Sequence, residues 1–539
     1  MPFYDRIIYM KDACGATSNG TEIEDLQQEN DRLQHEIQML KQSQAELEAK
    51  LKFFEDQLRL SRQRQFGTSS EQMPEQIDLF NEAESETKAG AAEPTFEEIV
   101  VRKRKKPEVA RESLREDLPV EIIEHRLPED QMECPCCEGH LHEMAKNVRK
   151  ELIIIPAQVK VLEHWDFVYN CPKCALEGDA STIVKAPTSK SLLPKAMASA
   201  SVVAHVITQK FMMGVPLYRQ ELHWEQMGVN LSRQTLSNWL LAVSAAYLQP
   251  MCGRMRETLL QKDIIFADET TLQVLKEPGR SAQSTSYMWM YRSGRDAPAV
   301  ILYEYQTTRA SKHPKAFLAG FKGYLHADGY AGYHDLPGVT VVGCWSHSRR
   351  KYTDALKAVP EKQRSKDLAS WTGLDFCNKL FKIEKELHDV NPEERYAGRL
   401  EQSLPVLNEY HVWLKKMKPQ ASPKSLIGQA ITYSLNQWEY LTNFLKDGRL
   451  ELDNNRSERS IKPFVISRKN FLFSDTPRGA TGSAAIFSIV ESAKQNGLKV
   501  LQYLVWLLER VPNIDIHDGN ALDELMPWSP QVPDDCKTK

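Results

Sequence analysis

The run Ile264-Ile265-Phe266-Ala267-Asp268 decides the fold expected for the centre of this chain. Its β-branched and aromatic residues predict a buried strand, and the aspartate is expected to end that strand at the edge of a sheet. A second run, Gly323-Tyr324-Leu325-His326-Ala327-Asp328, also closes on an aspartate, and Gly329 after it permits a tight turn. Further strands are predicted over 287–291 and 300–303. Because helical patterns follow these strands, we expect an α/β domain.

Length and composition bound what the chain can be. A chain of 539 residues exceeds one hydrophobic core, so several domains are expected. Hydrophobic residues at 41% and charged residues at 26% are ordinary for a soluble protein. No apolar run approaches the roughly 18 residues of a membrane-spanning helix, and the N-terminus lacks the apolar segment of a signal peptide. A cytoplasmic protein with no membrane partner is therefore expected.

The net charge of −4 does not by itself indicate a nucleic-acid partner. DNA is bound through local basic surfaces, so a mildly acidic total does not exclude DNA binding. Basic clusters occur at 102–106, 349–351 and 468–469. The alternative interpretation of such a cluster is a solvated charged face. The candidate phosphate contacts are Arg349, Arg350, Lys351, Arg468 and Lys469.

Residues 21–60 have the pattern of a coiled coil. Apolar residues recur in alternating steps of three and four from Ile23 to Leu58, over about five heptads. Asn30 takes one core position, where a buried amide typically sets register and strand number. We expect a zipper that joins copies of the chain into a homo-oligomer; the alternative is one amphipathic helix packed on its own protein. Residues 61–117, with an acidic stretch, are expected to be a linker.

Two CxxC pairs indicate a structural zinc site within residues 118–187. Each pair can present two thiolates, and two pairs complete the tetrahedral site of a zinc ribbon. Four protein ligands leave no position for water, so the zinc is expected to be structural rather than catalytic. The alternative is two redox or chance pairs. The expected ligands are Cys134, Cys137, Cys171 and Cys174, with Cys136, His140 and His142 as possible competitors.

A helix-turn-helix candidate lies within the helical region 193–250. Residues 217–227 are predicted to form one helix, and a second begins after Ser232, which is a plausible N-cap. Arg233, Gln234 and Asn238 would lie on the exposed face of the second helix, and these residue types contact base edges or phosphates. Helix pairs with a glycine turn are also common in ordinary cores, so this pattern alone leaves both interpretations open.

Three acidic residues are the candidate catalytic group. Asp268 and Asp328 follow predicted strands, and Glu458 lies at the expected start of a helix. Two strand-end aspartates and a helix-borne glutamate can converge on one pocket, where oxygen ligands suit Mg²⁺ and two such ions suit phosphoryl transfer. Asp453 is a rival for the third position, because the local sequence does not separate it from Glu458.

These motifs, taken in order, resemble the transposases of the insertion sequence 66 family. The resemblance covers nearly everything from residue 21 onward, and the joint order of the motifs makes it specific. It rests on Asp268-Glu269-Thr270, Asp328-Gly329-Tyr330, Gly343-Cys344-Trp345-Ser346-His347 with Arg349-Arg350-Lys351, Asp453-Asn454-Asn455 through Glu458-Arg459, Arg468-Lys469-Asn470, and Leu525-Met526-Pro527-Trp528.

The resemblance implies a multidomain α+β protein. Its parts are an N-terminal coiled coil, a zinc ribbon, a helix-turn-helix-like helical region, and an RNase H-like catalytic domain over 260–480. A helical insertion at 362–447 separates the second and third acids, and a helical region at 481–530 ends the chain. The implied triad is Asp268, Asp328 and Glu458, which settles the choice against Asp453. Departures from the family pattern at Ser457, Lys462 and Phe471 remove no metal ligand.

The implied activity is metal-dependent DNA cleavage and strand transfer at the ends of an insertion sequence. Two Mg²⁺ ions are expected, with Mn²⁺ as a substitute, and zinc is structural. The partners would be double-stranded DNA, both terminal inverted repeats and target, and small accessory proteins of the same element. The expected location is the bacterial cytoplasm, associated with the nucleoid. The alternatives are a catalytically inactive protein that binds terminal repeats and a nuclease that cuts without joining.

Overall fold

The computed structural model describes residues 29–44, 47, 51, 54–55, 158–170, 183–185, 188–296 and 298–538. The chain divides into two units, one of residues 1–68 with 164–539 and the other of residues 69–163. Of the second unit, only residues 158–163 are described, and they form exposed coil. All of the strands and helices named below belong to the first unit.

Seven strands are described, in two sheets. The smaller sheet is an antiparallel pair, and the larger sheet has five strands in the order β5-β4-β3-β6-β7. Strands β3, β4 and β5 are antiparallel neighbours, while β6 and β7 run parallel to β3. The strands are β1 (Val168–Asn170), β2 (Ile183–Lys185), β3 (Ile264–Gln273), β4 (Thr285–Ser293), β5 (Ile301–Gln306), β6 (Gly323–His326) and β7 (Val339–Val342).

The four strands predicted from the central sequence are confirmed, but the predicted end of the first one is wrong. Strand β3 does not end at Asp268; it continues to Gln273, with Asp268 paired to Met290 of β4. The continuation is possible because the two edges of β3 differ. On one edge β4 accompanies it to Gln273, whereas on the other edge β6 ends at His326, opposite Phe266. Asp268 therefore lies two residues beyond the last pair with β6, where that edge of the strand is open.

From residue 200 onward the described residues form fifteen α-helices. They are α1 (Ala200–Phe211), α2 (Leu217–Gln226), α3 (Arg233–Val243), α4 (Gln249–Leu260), α5 (Lys312–Phe317), α6 (Trp345–Ala358), α7 (Ala369–Glu386), α8 (Pro392–Gly398), α9 (Leu404–Met417), α10 (Leu426–Asn436), α11 (Trp438–Thr442), α12 (Asn455–Phe471), α13 (Pro477–Gln495), α14 (Val500–Arg510) and α15 (Gly519–Glu524). Helices α7 to α11 fill the predicted insertion, so its helical character is confirmed.

The two faces of the sheet pack into different cores. Along β3, Ile265 and Ala267 belong to a core shared with the helices before the sheet and with α13 and α14, whereas Ile264 and Phe266 belong to a core shared with α6 and the insertion. This alternation follows from the two-residue period of a strand. The same period places Asp268 on the insertion face of β3 and Glu269 on the opposite face.

The helix pair α2 and α3 matches the predicted helix-turn-helix segment. The Ser232 hydroxyl accepts a hydrogen bond from the Thr235 N–H, so the predicted N-cap is confirmed. The inner face of α3 buries Leu236, Trp239 and Leu240. These apolar residues recur at helical spacing, which leaves one face of α3 for solvent.

The described N-terminal residues 29–44 form a helix whose side chains are exposed. Seam residues of the predicted zipper such as Leu33, Ile37 and Leu40 are about half exposed in the single chain. Among the described residues, no helix is both long and apolar enough to cross a membrane.

Candidate active site

The three predicted acids reach the same region from three different elements. Asp268 lies within β3, Asp328 follows the end of β6 by two residues, and Glu458 lies in the first turn of α12. Burial raises the pKa of Asp268 well above its usual range, and the charges of Glu269, Asp328 and Glu458 raise it further. The acids are therefore close enough to repel one another, which is the arrangement a cation would relieve.

Local backbone bonds orient the two aspartates. The Glu269 N–H donates to Asp268 Oδ1 at 2.9 Å, and the Tyr330 N–H donates to Asp328 Oδ1 at 2.9 Å. The second bond spans two residues, as aspartates in turns commonly do. Each carboxylate thus has one oxygen held by the backbone, which limits the rotation of its side chain.

The contacts of Asp453 and Glu458 separate the two rivals for the third position. Asp453 Oδ2 accepts from the Ser346 hydroxyl at 3.2 Å and from Asn455 Nδ2 at 2.6 Å, while its Oδ1 accepts from the Asn455 N–H. Its two oxygens therefore stabilise the turn that begins α12. In contrast, Glu458 Oε1 is buried and has no hydrogen-bond partner among the described residues. The geometry therefore favours Glu458 over Asp453 as the residue whose carboxylate a cation would contact.

Asn454 ties the start of α12 to the strand that carries Asp268. Its Nδ2 donates to the Ala267 carbonyl at 2.9 Å, and its backbone N–H contacts Cys344 Sγ at 3.1 Å. The side chain is almost fully buried. A buried amide bonded to a strand carbonyl holds the two elements at a defined distance. No local sequence signal marks Asn454 for this contact, because the bond joins positions 187 residues apart.

Glu269 is a fourth carboxylate beside the site, on the opposite face of β3. Its side chain is only 2% exposed. Arg309 donates to its Oε1 and the Tyr333 hydroxyl donates to its Oε2. The same guanidinium lies 3.8 Å from Asp328 Oδ2 and 4.0 Å from the centre of the Tyr330 ring. Arg309 therefore neutralises Glu269 and also approaches one of the three predicted acids.

The start of α6 supplies the groups next to Glu458. His347 Nε2 and Arg350 Nη2 each lie 3.8 Å from a Glu458 oxygen. Burial lowers the pKa of His347, although the charge of Glu458 opposes that effect. Atoms of Cys344, His347 and Glu458 lie within 4.8 Å of one another and form a potential metal group among the described residues. Burial raises the pKa of Cys344 to about 12, and its Sγ already contacts the Asn454 N–H.

The helical insertion reaches the site through Tyr433 of α10. A Cβ at Gly329 would lie 2.9 Å from the Tyr433 ring and 3.2 Å from Gln437. The φ of Gly329 lies outside the left-handed region, so the residue does not need glycine for its backbone conformation. The sequence predicted a tight turn as the reason for this glycine. In the structure, the glycine is needed because the insertion approaches its backbone closely.

Protein-family profiles match most of this chain. The profile described as "Transposase IS66 family" matches residues 195–482, more than half of the chain and the range that holds all three acids. The chain belongs to the IS66 transposase family. Further matches are the "zinc-finger binding domain of transposase IS66" at 131–175, the "IS66 C-terminal element" at 488–528, and "Transposase C of IS166 homeodomain" at 54–123. The family resemblance found in the motifs is confirmed.

Relatives of similar length occur in Sinorhizobium fredii (strain NBRC 101917 / NGR234). Uncharacterized protein y4jD is 29% identical over 410 residues, which cover 74% of this chain and 78% of that protein. Uncharacterized protein y4hP is 27% identical over 504 residues, or 89% and 88% of the two chains. Uncharacterized protein y4qI is 29% identical over 426 residues, or 76% and 75%. The similarity therefore extends over most of each chain.

In this IS66 family member, only some of the basic residues predicted to bind phosphate lie next to the acids. Arg350 lies next to Glu458. Arg349 donates to Asn378 Oδ1 on α7 at 2.8 Å, and Lys351 lies 4.9 Å from the centre of the Tyr433 ring. Arg468 donates to the carbonyl and hydroxyl of Thr271, three residues beyond Asp268 on β3.

The remaining predicted contacts of this IS66 chain lie elsewhere. Arg233, Gln234 and Asn238 are exposed on α3, where Gln234 Nε2 donates to Asn238 Oδ1 at 3.1 Å. Lys469 is exposed near the end of α12. The four predicted zinc cysteines lie outside the described residues, but the zinc-finger match at 131–175 contains all of them.

Proposed function

We propose that this protein catalyses DNA cleavage and strand transfer at the ends of its insertion sequence, with Asp268, Asp328 and Glu458 as the catalytic triad. The observation that carries the proposal is the convergence of these carboxylates where Glu458 Oε1 is buried without a hydrogen-bond partner. Membership of a transposase family supplies the class of reaction.

The charges around the acids support a site for divalent cations. Asp268, Asp328, Glu458 and the adjacent Glu269 bring four negative charges, while Arg309 and Arg350 bring two positive charges. Burial disfavours the charged form of His347, so the histidine adds little. Like charges this close, with low solvent access, require cations to stay ionised. Oxygen ligands fit Mg²⁺, and also Mn²⁺, better than softer metals.

The strand order supports an RNase H-like fold for the catalytic domain, which we propose to span residues 260–480 with the insertion at 362–447. The first acid lies on the central strand β3, and the second follows its parallel neighbour β6. Ligands of such sheets bind beyond the carboxyl ends of parallel strands, where the connections diverge. The third acid arrives on α12, whose contacts with β3 bring it to the same end.

Asp268, Asp328 and Glu458 would hold two Mg²⁺ ions. When bound, these ions supply a more acidic attacking water or 3′ hydroxyl and stabilise charge on the leaving 3′ oxygen. The residues of this chain have separate tasks around them. Arg350 is about half exposed beside Glu458 and can bind a phosphate of the scissile strand. Arg309 and Tyr333 each bind one oxygen of Glu269, so this fourth carboxylate would not contact the substrate.

The central experiment measures cleavage and joining by the full-length protein on plasmid DNA that carries both ends of its element. We expect Mg²⁺-dependent ends and joined products from the wild type. Asp268→Asn should lower the rate about 10³-fold or more, because metal binding contributes several kcal/mol to the transition state. The matched control is Asp375→Asn, an exposed acid of the insertion that pairs with Lys379. Undiminished activity in Asp268→Asn would contradict the assignment.

The same assay separates the alternative functions. A nuclease that does not join would produce nicked or linear DNA without strand-transfer products. A protein that only binds terminal repeats would shift the DNA in a gel and cut nothing with either Mg²⁺ or Mn²⁺. Joined products that disappear in Asp268→Asn are the result expected for a transposase.

DNA recognition is proposed for the zinc-finger region and α3. Cys134, Cys137, Cys171 and Cys174 form a set of four soft donors, which suits a closed, structural zinc site. One zinc per chain should be released when the cysteines are titrated with a mercurial, and Cys171→Ser should abolish binding of that zinc. Exposed Arg233, Gln234 and Asn238 on α3 would then contact the terminal repeats.

Self-association through residues 21–60 is proposed from the exposed seam of the N-terminal helix. Leu33, Ile37 and Leu40 are exposed in the single chain, as expected for a stripe that needs a partner helix. Asn30 Oδ1 accepts a long, 3.4 Å bond from Gln34 within the helix. Light scattering should detect an oligomer that Leu33→Asp with Leu40→Asp dissociates. A monomeric wild type would contradict the zipper.

A further inference from the structure

Two large apolar side chains stand exposed side by side just after α12. Leu472 is 66% exposed and Phe473 is 43% exposed. Single exposed apolar residues need no explanation, but an adjacent pair beside a candidate active site is a reason to look for a partner. Arg468 and Lys469 precede them in the last turn of the same helix.

The backbone at Leu472 is in a strained conformation. Its φ of 64° and ψ of −52°, with the Phe473 N–H donating to the Phe471 carbonyl at 2.8 Å, describe the rare γ-turn with positive φ. A positive φ is uncommon for a residue with a side chain, and Leu472 is one of the few described residues other than glycine that adopt it. Strain of this kind persists where the surroundings impose it, and it is concentrated at functional sites.

Backbone hydrogen bonds on both sides of Leu472 hold this strained conformation in place. The Leu472 N–H donates to the Arg468 carbonyl at 2.7 Å, which closes the helix, and the Ser474 N–H donates to the Gln273 carbonyl at 2.9 Å. The next residues continue along the end of β3, where the Leu275 N–H donates to the Ser474 carbonyl. The two apolar side chains are therefore presented to solvent on a backbone that both neighbours hold in place.

A cavity of about 300 Å³ opens beside this turn. Five residues with hydroxyl or amide side chains, among them Thr271, Gln283 and Ser284, line it together with Arg468 and two leucines, Leu272 and Leu472. The Arg468 guanidinium is itself fixed to Thr271 by hydrogen bonds. Donors and acceptors of this kind match the edge of a nucleobase, and an apolar side chain matches its face.

We propose that this cavity receives an unpaired base of the substrate DNA, with Leu472 and Phe473 inserted as a wedge in the place of that base. The inference rests on the proposed DNA chemistry. Thr271 is three residues from Asp268 along β3, a distance of about 10 Å at the usual rise per strand residue. That distance corresponds to roughly three base steps, so the base would lie within a few nucleotides of the cut. A protein partner is disfavoured because a fixed guanidinium and five polar groups line the cavity.

The test uses the full-length protein and two duplexes that carry the end of its element. One duplex is fully paired, and the other has mismatches at the nucleotides flanking the cut. The variant is Leu472→Asn with Phe473→Ser, because asparagine adopts a positive φ more readily than most other residues with a side chain. The control is Val412→Ser, another exposed apolar residue, on α9 of the insertion. We expect the variant to cut the paired duplex about tenfold more slowly and the mismatched duplex at nearly the wild-type rate.

Equal slowing on both duplexes, or no slowing on either, would overturn the wedge. A second measurement does not depend on cleavage. It follows the fluorescence of 2-aminopurine placed at the flanking nucleotides, with the Asp268→Asn protein and Mg²⁺. The fluorescence should rise on binding to Asp268→Asn and not rise when the wedge substitutions are added. If the wild type cuts neither duplex, the proposed catalysis fails, while the fluorescence still decides whether the cavity takes a base.

Discussion

The two sides of the candidate site hold their acids in different ways. Asp268 and Asp328 are placed by the parallel pairing of β3 with β6, in which Phe266 lies opposite His326. Glu458 lies on a helix whose start is held to the sheet by the Asn454 bond to the Ala267 carbonyl. One backbone ladder thus sets two acids, whereas the third depends on side-chain contacts between distant parts of the chain.

The same two sides differ in their counter-charges. On the strand side, Arg309 and Tyr333 bind Glu269 directly, and the carboxylate is almost fully buried. On the helix side, Arg350 and His347 approach Glu458 only to 3.8 Å, and Arg350 is about half exposed. The strand side is therefore a closed network, while on the helix side Glu458 has no counter-charge within hydrogen-bond distance among the described residues.

The largest effect is expected from substituting Glu458, compared with Asp453, the other candidate for the third acid. Glu458→Gln should lower DNA cleavage about 10³-fold, because it removes a ligand charge at the proposed metal site. Asp453→Asn should lower cleavage much less, since its oxygens bind Ser346 and Asn455. Cleavage rates at saturating Mg²⁺ compare the two. A dead Asp453→Asn beside an active Glu458→Gln would reverse the assignment of the third acid.

A smaller effect is expected from opening the network on the strand side. Arg309→Ala leaves Glu269 buried without its cation, so the free energy of unfolding should fall by about 1–3 kcal/mol; the arginine is 41% exposed, which reduces the loss. Cleavage should fall about tenfold as Asp328 loses its neighbour.

The double variant Arg309→Ala with Glu269→Gln provides the control for this change. It should recover most of the unfolding free energy, measured by urea denaturation, because the buried charge is gone. Equal destabilisation of the single and double variants would show that Arg309 acts through packing instead of through Glu269.

The smallest effect is expected from removing the Asn454 side chain, which links α12 to β3. Asn454→Ala removes the bond to Ala267 and should cost ~1–2 kcal/mol of unfolding free energy and a severalfold loss of cleavage. Asn443→Ala is the matched control, because Asn443 Nδ2 donates to the Val341 carbonyl of the same sheet at 2.7 Å. Similar losses of stability with cleavage reduced only in Asn454→Ala would support a positioning role. Equal cleavage in the two variants would contradict it.

Prediction from the sequence succeeded where the signal was local. The apolar runs before Asp268 and Asp328 indicated strands, and Ser232 indicated a helix start; the structure has both. It failed on the end of β3, because the strand continues along β4, and no local signal shows which edge of a strand is paired. It also missed β7, a short Val-Thr-Val-Val run.

Several groups around the acids make contacts that no local stretch of the sequence indicates. Arg309 follows β5 and Tyr433 lies within the insertion, so neither is near Asp328 along the chain. His347 and Asn454 stood inside motifs that identified the family, yet the motifs do not state what these side chains contact. Their contacts with Glu458 and Ala267 join residues more than 100 positions apart.

The sequence by itself determined the family, the strands that carry two of the acids, and the spacing of the cysteine pairs, because each rests on neighbouring residues. Only the tertiary structure decided which oxygens are left without partners, which arginine neutralises Glu269, and that the insertion reaches Gly329. The physical reason is that burial and charge pairing depend on distances between elements. Such distances are set when the sheet, α12 and the insertion pack together, and no single stretch of the chain contains them.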